Sequence, residues 1–212
     1  MLKVYGFARV NAGARGNTRD LRVLWALEEM DLPYEIVGMD HPNHDLDTPE
    51  LRSKNLFGQL PVIDDDGVVV SESGAILLYL ARKSSKLIPA DLAGEAQVLR
   101  WSFAALSTIE LPILARWFVN LSGGKGSKPS EALHGWSALR LGQLDVWLAD
   151  REFVATDAFT VADILMTHVL CGPTDAELLA PHANVRAYKQ RCLARPAWQR
   201  TFDAYCQRVE AG

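Results

Sequence analysis

The stretch 55–81 constrains the fold of this chain most, because it combines a proline, a hairpin pattern and a helix start. It reads NLFGQLPVIDDDGVVVSESGAILLYLA. The β-branched runs 62–63 and 68–70 are separated by an acidic segment that ends in glycine, which predicts a β-hairpin. Pro61 has no N–H for a strand ladder, so we expect it at a strand start, in a turn or at a cis bond.

The second hairpin strand runs directly into Ser71-Glu72-Ser73, where an apolar helix begins. We expect Ser71 to be the N-cap and Glu72 to lie in the first turn, where the helix dipole favours an acid. Free N–H groups at a helix start also bind anions. Together with the strand edge at Leu60, this helix start suits an extended peptide that carries an amine and a carboxylate. The alternative is a plain hairpin and helix cap without a ligand.

Residues 55–62, the acidic hairpin tip and Glu72-Ser73 together resemble the glutathione site of the cytosolic glutathione S-transferase family, in its bacterial type and without an assigned class. The resemblance implies that Pro61 is cis and that the backbone of Leu60 pairs with the cysteinyl part of glutathione. It implies that Glu72 and Ser73 hold the γ-glutamyl end. Glutathione is then the co-substrate. The family often has Asn-Pro where this chain has Asn55-Leu56, which is a small departure in a turn.

Polar residues around this stretch have more than one interpretation. Gln59 resembles a family residue that hydrogen-bonds the tripeptide backbone, although a polar turn residue needs no function. His41 and Lys54 are candidates for the glycyl carboxylate of glutathione, or else solvated loop residues. His41 and His44 lie in a loop that has no closing set of metal ligands, so we expect no metal site.

The order of the first elements, β-α-β-α-β-β-α, indicates an α/β thioredoxin-like N-terminal domain. We expect a strand at 2–7, a long loop at 8–18, a helix at 19–30 and a strand at 34–37. In such a domain the first βα loop and the strand before the cis proline meet at one end of the sheet. Thr18 is therefore expected near Leu60.

The chain after about residue 92 is predicted to be an all-α C-terminal helical domain. The predicted ranges are 1–83 for the thioredoxin-like domain, 84–91 for a linker and 92–212 for the helical domain. The spacing of Ala96, Leu99, Phe103 and Leu106 predicts a buried helix face, and that of Leu141, Leu144 and Leu148 predicts another. Thr160 and Asp163 predict a capping box at the start of a central apolar helix. The run 159–163 also resembles the C-terminal domain of the same family.

The thiol of glutathione needs a hydrogen-bond donor, because a thiol with a pKa of about 8.5 is only a few per cent ionised at neutral pH. The family places this donor in the first βα loop or at the start of the first helix, but this loop contains neither serine nor cysteine. Thr18 aligns best with the family's serine and is the predicted catalytic residue. It is equally well interpreted as a helix N-cap, with Asn17 as a rival cap. Asn11, Arg15 or a backbone N–H of the loop are the other candidates.

The resemblance implies a glutathione transferase that directs the thiolate onto a small electrophilic, largely apolar substrate. Arg116 and Trp117 are candidates for the wall of its acceptor pocket, expected between the domains, although a core role for the tryptophan is at least as plausible. The alternatives are a glutathione-dependent isomerase, lyase or peroxidase on the same fold, or a non-enzymatic binding module. Family members are usually homodimers in which the N-domain of one subunit packs on the C-domain of the other.

The composition favours a soluble cytoplasmic enzyme over several other classes. The net charge is −4, and no basic cluster indicates a nucleic-acid partner. The three cysteines form no disulfide or zinc pattern. The start of the chain reads as a strand, so we expect no signal peptide. The most apolar stretch, 103–118, contains two charged residues and a proline, so we expect no membrane association.

Overall fold

The computed structural model describes residues 1–172 and 176–211, and its packing divides the chain into two compact units. Unit 1 consists of Met1–Lys86 together with Arg195–Gly212, and unit 2 is Leu87–Ala194. The predicted domain ranges stay a prediction, and part of the predicted range 92–212, at 173–175 and 212, lies outside the described residues. The sequence did not indicate that the final segment, Arg195–Gly212, belongs to the same compact unit as Met1–Lys86.

Unit 1 is built on a mixed β-sheet of the thioredoxin-like kind that the element order predicts. Its strands, given in chain order, are β1 (Leu2–Val10), β2 (Glu35–Asp40), β3 (Val62–Asp65), β4 (Val68–Ser71) and β5 (Glu210–Ala211). The sheet order is β2-β1-β3-β4, and β5 pairs with β1. β2 and β5 are parallel to β1, whereas β3 is antiparallel to both β1 and β4. β1 is longer than predicted because its last residues pair with β2 and β5.

The predicted hairpin is present as β3 and β4. Asp66 and Gly67 form its two-residue turn with φ values of 50° and 96°, the pair of positive angles that a type I′ turn requires. Asp-Gly suits this turn because glycine has no Cβ and aspartate tolerates the left-handed region. The bond between Leu60 and Pro61, just before β3, is cis.

The helices of unit 1 cover the sheet. They are α1 (Asp20–Met30), α2 (Pro49–Lys54), α3 (Ser73–Ser84) and, from the end of the chain, α10 (Pro196–Arg208). α1 packs against both α3 and α10, which explains why nearly all of its residues are buried. The ring of Trp25 lies 4.8 Å from that of Trp198 between centroids, and Trp198 stacks on Phe202 at 5.4 Å.

Unit 2 consists of helices around one apolar helix. Its helices are α4 (Leu92–Phe103), α5 (Glu110–Val119), α6 (Lys128–Trp147), α7 (Val161–Cys171), α8 (Ala176–Leu179) and α9 (Ala183–Leu193). The central position predicted for α7 is confirmed, because residues 161–170 are all buried and the helix packs against α4 and α9. The capping box of Thr160 and Asp163 is also confirmed.

The predicted buried face of α4 is wrong. Ala96 and Phe103 are exposed, the latter to 63%. The residues that are buried instead are Val98, Ser102, Ala105 and Ile109. Apolar residues lie on more than one side of this helix, so spacing alone fits two faces. Packing within unit 2 selects the face that carries Val98, Ser102, Ala105 and Ile109.

α4 and α5 belong to one helical run, Leu92–Gly124, with wider π-helical turns at Ala104–Ile109 and Asn120–Gly124. The first of these turns precedes Pro112, whose ring cannot fit against the carbonyl of an ordinary helical turn. By length and composition alone the run is apolar enough to cross a membrane. A core helix of a globular protein passes the same test, so the observation is weak evidence for a membrane span.

Candidate functional site

The cis bond and the start of α3 lie at the same end of the hairpin. Val62, the first residue of β3, pairs with Ser71, the last residue of β4. Pro61 directly precedes one member of this pair and Glu72 directly follows the other. The strand register therefore brings the predicted glutathione-binding residues to one place, listed here as Gln59, Leu60, Pro61, Glu72 and Ser73.

The turn before the cis bond is held by a buried asparagine. Asn55 Nδ2 donates to the carbonyl of Gln59 over 2.8 Å, and Asn55 Oδ1 accepts the N–H of Phe57 at 3.1 Å. The carbonyl of Gln59 is thus already bonded, while its side chain is exposed. Leu60 and Pro61 are buried, so the part of Leu60 that suits an extended peptide is its backbone.

The start of α3 differs from the expectation that Ser71 would be the N-cap. Ser71 ends β4, and Glu72 takes the N-cap position without a side-chain cap bond. Glu72 has φ 69° and ψ 115°, outside the left-handed helical region, and a backbone of this kind costs on the order of 1–3 kcal/mol. Its side chain is exposed. The strained backbone holds this carboxylate at the mouth of an uncapped helix N-terminus.

Ser73 is the first residue of α3 and is buried, with 6% exposure. Arg22 Nη1, from α1, donates to Ser73 Oγ over 3.2 Å. Because the serine oxygen accepts from a cation, its own proton is available to a negatively charged ligand. Arg22 is only 2% exposed, and sequence reasoning missed it. The available signal was a charged residue between Leu21 and Val23 on an otherwise apolar helix.

The start of α1 reaches the same end of the sheet. Tyr5 of β1 pairs with Val62, so Phe7, two residues further along β1, lies towards Leu60. The backbone N–H of Phe7 donates to Asp20 Oδ2 at 3.0 Å. Asp20 is fully buried, and burial raises the pKa of its carboxyl, opposed by hydrogen bonds from Thr18 and Phe7. The first βα loop therefore ends beside the cis bond, as the fold predicts.

The candidates for the thiol donor are in different environments. Thr18 is buried, and its hydroxyl lies 2.7 Å from that of Tyr205. Arg15 is bound through its guanidinium to the carbonyl oxygens of Cys206 and Val209. Asn11 and Asn17 are exposed. The N-cap position of α1 is taken by Arg19 and not by Thr18 or Asn17, and the Thr18 side chain also bonds the Asp20 carboxyl.

The two further candidates for binding a carboxylate have partners within unit 1. Lys54 Nζ lies 3.4 Å from Asp64 Oδ2 and 5.3 Å from the ring centroid of Tyr5. His41 is exposed, and its ring packs edge-on against that of Phe7 at 6.3 Å. These contacts account for both residues without a ligand.

The predicted acceptor-pocket residues lie on α5 of unit 2. Arg116 is half-buried. Trp117 is 38% exposed, and its ring packs against that of Phe118 with centroids 4.9 Å apart. The tryptophan is therefore a surface residue of its unit and not part of the core.

Comparison with known proteins identifies the same family in the N-terminal and the C-terminal part of the chain. Residues 13–82 match the family model of the glutathione S-transferase N-terminal domain, and residues 131–196 match that of the C-terminal domain. Glutathione S-transferase 3 of Schizosaccharomyces pombe is 31% identical over 202 residues, which cover 85% of this chain and 81% of the relative. The chain belongs to the glutathione S-transferase family.

Solved glutathione transferases have the same fold. The crystal structure of one from Burkholderia graminis, with two glutathione molecules bound per subunit, superimposes with a TM-score of 0.84 at 28% identity, over 96% of this chain and 88% of the other. A family member from Pseudomonas fluorescens, also with two glutathione molecules bound, gives a TM-score of 0.83 at 26% identity, over 95% and 92%. The glutathione S-transferase fold predicted from the sequence is confirmed.

Proposed function

We propose that this glutathione transferase binds glutathione at the end of the hairpin and directs its thiolate onto a small electrophilic, largely apolar substrate. The observation that carries the proposal is the pairing of Val62 with Ser71, which puts the backbone of Leu60 beside Glu72 and Ser73. An extended tripeptide with an amine and a carboxylate at its γ-glutamyl end suits these groups.

Each end of the ligand has a suitable chemical partner. The exposed carboxylate of Glu72 attracts the ammonium group, and the hydroxyl of Ser73, polarised by Arg22, donates to the γ-glutamyl carboxylate. The N–H groups at the start of α3 add a favourable dipole. The side chain of Gln59 is exposed and available to the tripeptide backbone. The peptide edge at Leu60 then orients the cysteinyl thiol towards the start of α1.

Thiol activation needs a donated hydrogen bond at that position. A hydrogen bond to a charged group contributes about 1.5–3 kcal/mol, which lowers the thiol pKa by about 1–2 units. We propose that Thr18 supplies it. The sulfur then forms a bond to the electrophilic carbon, and the leaving group departs with the electron pair of the broken bond. No covalent intermediate with the enzyme is required.

We propose that Arg116 and Trp117 contribute to the acceptor site. The exposed indole of Trp117 beside Phe118 offers an apolar surface for the substrate, and Arg116 offers positive charge for a developing anion. Replacement of Trp117 by alanine is expected to raise KM for the electrophile and leave the KM for glutathione unchanged. An equal rise in both would contradict the assignment.

We further propose that the enzyme is a cytoplasmic homodimer. Leu56 and Phe57 project from the turn before β3 with exposures of 77% and 70%, and Phe103 is exposed to 63% on α4. Large exposed apolar side chains of this kind mark association surfaces. Light scattering is expected to report the mass of two chains, and a Phe57→Ser variant a shift towards one. A wild-type mass of 23.4 kDa, that of one chain, would exclude the dimer.

Calorimetric titration with reduced glutathione near neutral pH tests the function directly. We expect about one molecule bound per chain with micromolar-to-millimolar affinity, followed by turnover with aryl halides as model electrophiles. Binding without turnover would direct the search to isomerase, lyase or peroxidase substrates. Absence of both heat and thermal shift at high glutathione would favour a binding module.

A further inference from the structure

The C-terminal segment 195–211 belongs to unit 1 and is attached to it at both ends. At the beginning of α10, the guanidinium of Arg195 makes two hydrogen bonds to the carboxylate of Glu29, at 2.6 and 2.8 Å. At the other end, β5 pairs with Arg9 and Val10 at the end of β1. Because the first βα loop starts directly after β1, this pairing puts the C-terminal end of α10 beside that loop.

Arg15, in the first βα loop, binds the C-terminal end of α10. Its Nε donates to the carbonyl oxygen of Val209 at 2.9 Å, and its Nη2 donates to that of Cys206. The last carbonyl groups of an α-helix have no partner within the helix, and the negative end of the helix dipole lies there. A guanidinium suits this position, because its donors form a planar fork and its charge complements the dipole. Arg15 therefore caps the C-terminus of α10 from the loop.

The loop that Arg15 holds is mostly exposed to solvent. Residues 11–15 and 17 are exposed. Hydrogen bonds within the loop are short-range ones, from the N–H groups of Ala14, Arg15 and Asn17 to carbonyls three residues earlier, at 2.8–3.3 Å. Gly16 is half-buried, and the ring of Phe202 in α10 lies 3.6 Å from where a Cβ of this glycine would project. The loop is thus supported by α10 more than by its own contacts.

Further contacts hold the backbone between Arg15 and α1. The hydroxyl oxygen of Tyr205 accepts the N–H of Gly16 at 3.4 Å and the hydroxyl of Thr18 at 2.7 Å. The side chain of Thr18 also bonds the buried carboxyl of Asp20, in the first turn of α1. The position of α10 is therefore transmitted along the loop to the start of α1.

The loop ends where the proposed function puts the thiol of glutathione. The backbone N–H of Phe7 in β1 donates to Asp20, and Phe7 lies towards Leu60 along the sheet. The start of α1 is therefore held both by β1 and by α10. A hydrogen-bond donor acts on a thiolate only within a narrow range of distance and angle. A small displacement of the loop should therefore impair thiol activation more than it impairs binding.

We infer that Arg15 is a positioning residue for thiol activation. By capping α10 it fixes the first βα loop, and with it the start of α1, where the thiol of bound glutathione is activated. The inference rests on the proposed function, which puts the thiol at the start of α1, and it holds whichever group of the loop contacts the sulfur. In this role the guanidinium of Arg15 binds α10 and does not contact the thiol.

Replacement of Arg15 by methionine removes the donors and keeps most of the side-chain length. With the proposed role, the thiol pKa of bound glutathione, measured from thiolate absorbance, rises by about half a unit. At neutral pH kcat/KM falls about threefold to tenfold. The Kd for S-methylglutathione, which has no ionisable thiol, changes by less than about twofold, because the γ-glutamyl contacts are intact. An unchanged thiol pKa would overturn the inference.

Hydrogen exchange of the ligand-free protein distinguishes positioning from a direct contact with the sulfur. If Arg15 positions the loop, the backbone amides of residues 14–17 exchange faster in Arg15→Met than in the wild type, because the loop opens more often. If Arg15 contacted the sulfur itself, the thiol pKa would rise without faster exchange in the ligand-free protein. That combination would also overturn the inference.

The matched control is Arg191→Met in unit 2. The guanidinium of Arg191 makes the same kind of contact, since its Nη2 lies 2.8 Å from the carbonyl oxygen of Glu152 and 3.5 Å from that of Arg151. Both variants are expected to lower the melting temperature, but only Arg15→Met is expected to raise the thiol pKa. An equal rise in both variants would reveal a general effect of lost stability and would contradict a specific role of Arg15.

The wild-type titration distinguishes failure of the inference from failure of the proposed function. If the wild type binds glutathione and lowers its thiol pKa while Arg15→Met does the same, only the role of Arg15 is lost. If the wild type binds no glutathione, the proposed function and the inference fail together.

Discussion

Two helix starts in this protein both combine a hydroxyl residue and an acid at the start of an apolar helix, but their structures differ. The N-cap of α3, Glu72, has a strained backbone and no side-chain cap bond, and it lies next to the cis bond. The N-cap of α7, Thr160, forms a complete capping box with Asp163, and Asp163 accepts four hydrogen bonds. The donors to Asp163, at 2.8–3.0 Å, are the backbone N–H groups of Val154 and Thr160 and the hydroxyls of Thr160 and Tyr188.

The difference distinguishes the proposed binding site at the start of α3 from a structural helix cap at the start of α7. At α7 every polar group at the helix start serves the fold, and the carboxylate is buried even though burial raises its pKa. At α3 the helix start is left uncapped and the carboxylate is exposed, so these groups remain available to a ligand. A polar residue before an apolar helix therefore does not by itself reveal which role the helix start has.

The largest effect on stability is expected from a substitution at the start of α7. Asp163→Ala leaves several buried donors without an acceptor and should lower the free energy of unfolding by about 2–4 kcal/mol. Urea unfolding measures this loss. Asp157→Ala, at an exposed aspartate of the same unit, is the control and should change stability by less than about 0.5 kcal/mol. Equal losses would show that the four hydrogen bonds contribute little.

The corresponding substitution at the start of α3 should weaken the binding of glutathione. Ser73→Ala removes a charge-assisted hydrogen bond and is expected to weaken glutathione binding by about 1–3 kcal/mol. Calorimetry measures this affinity. The neighbouring Ser71→Ala, at the end of β4, should change it far less. An unchanged affinity in Ser73→Ala would remove this residue from the site.

The strain at α3 can be tested separately from its charge. Glu72→Gly and Glu72→Ala both lose the carboxylate and should weaken glutathione binding equally. Glycine adopts a positive φ without a Cβ clash, so the glycine variant should be more stable than the alanine variant by about 1 kcal/mol. Thermal or urea unfolding of the pair measures the difference. Greater stability of the alanine variant would mean that the backbone is not strained.

The smallest effect concerns pH. Lys83 and Tyr79 bond to Asp65, which lies directly before the hairpin turn, and hold the pKa of this carboxyl below its ordinary value of 3.8. A lowered folded pKa stabilises the protein above the unfolded value, and the stability is lost as pH falls through the folded pKa. Asp65→Asn should therefore lose less stability than the wild type below about pH 4. Thermal unfolding at several pH values compares the two, and parallel curves would contradict the assignment.

Much of the local structure around the proposed site could be predicted because its sequence signals are local. The hairpin that the structure contains was predicted from Pro61, the Asp-Gly turn and the β-branched runs. Each of these features is recognised from a few neighbouring residues. The capping box of Thr160 and Asp163 could be predicted in the same way, since both residues lie within one helical turn. The N-cap of α3 was predicted one residue early, because the strained φ of Glu72 arises from the hairpin register and not from residue preference.

The amino-acid sequence by itself determined the order of elements, the hairpin, the capping box and the family, because these depend on short-range preferences and on motifs of fixed spacing. Only the tertiary structure decided which face of α4 is buried, that Arg22 supports Ser73, and that Tyr205 meets Thr18. Arg22 and Ser73 lie 51 positions apart in the sequence, and Thr18 and Tyr205 lie 187 positions apart. The physical reason is that packing between elements selects among faces and partners that local sequence allows equally.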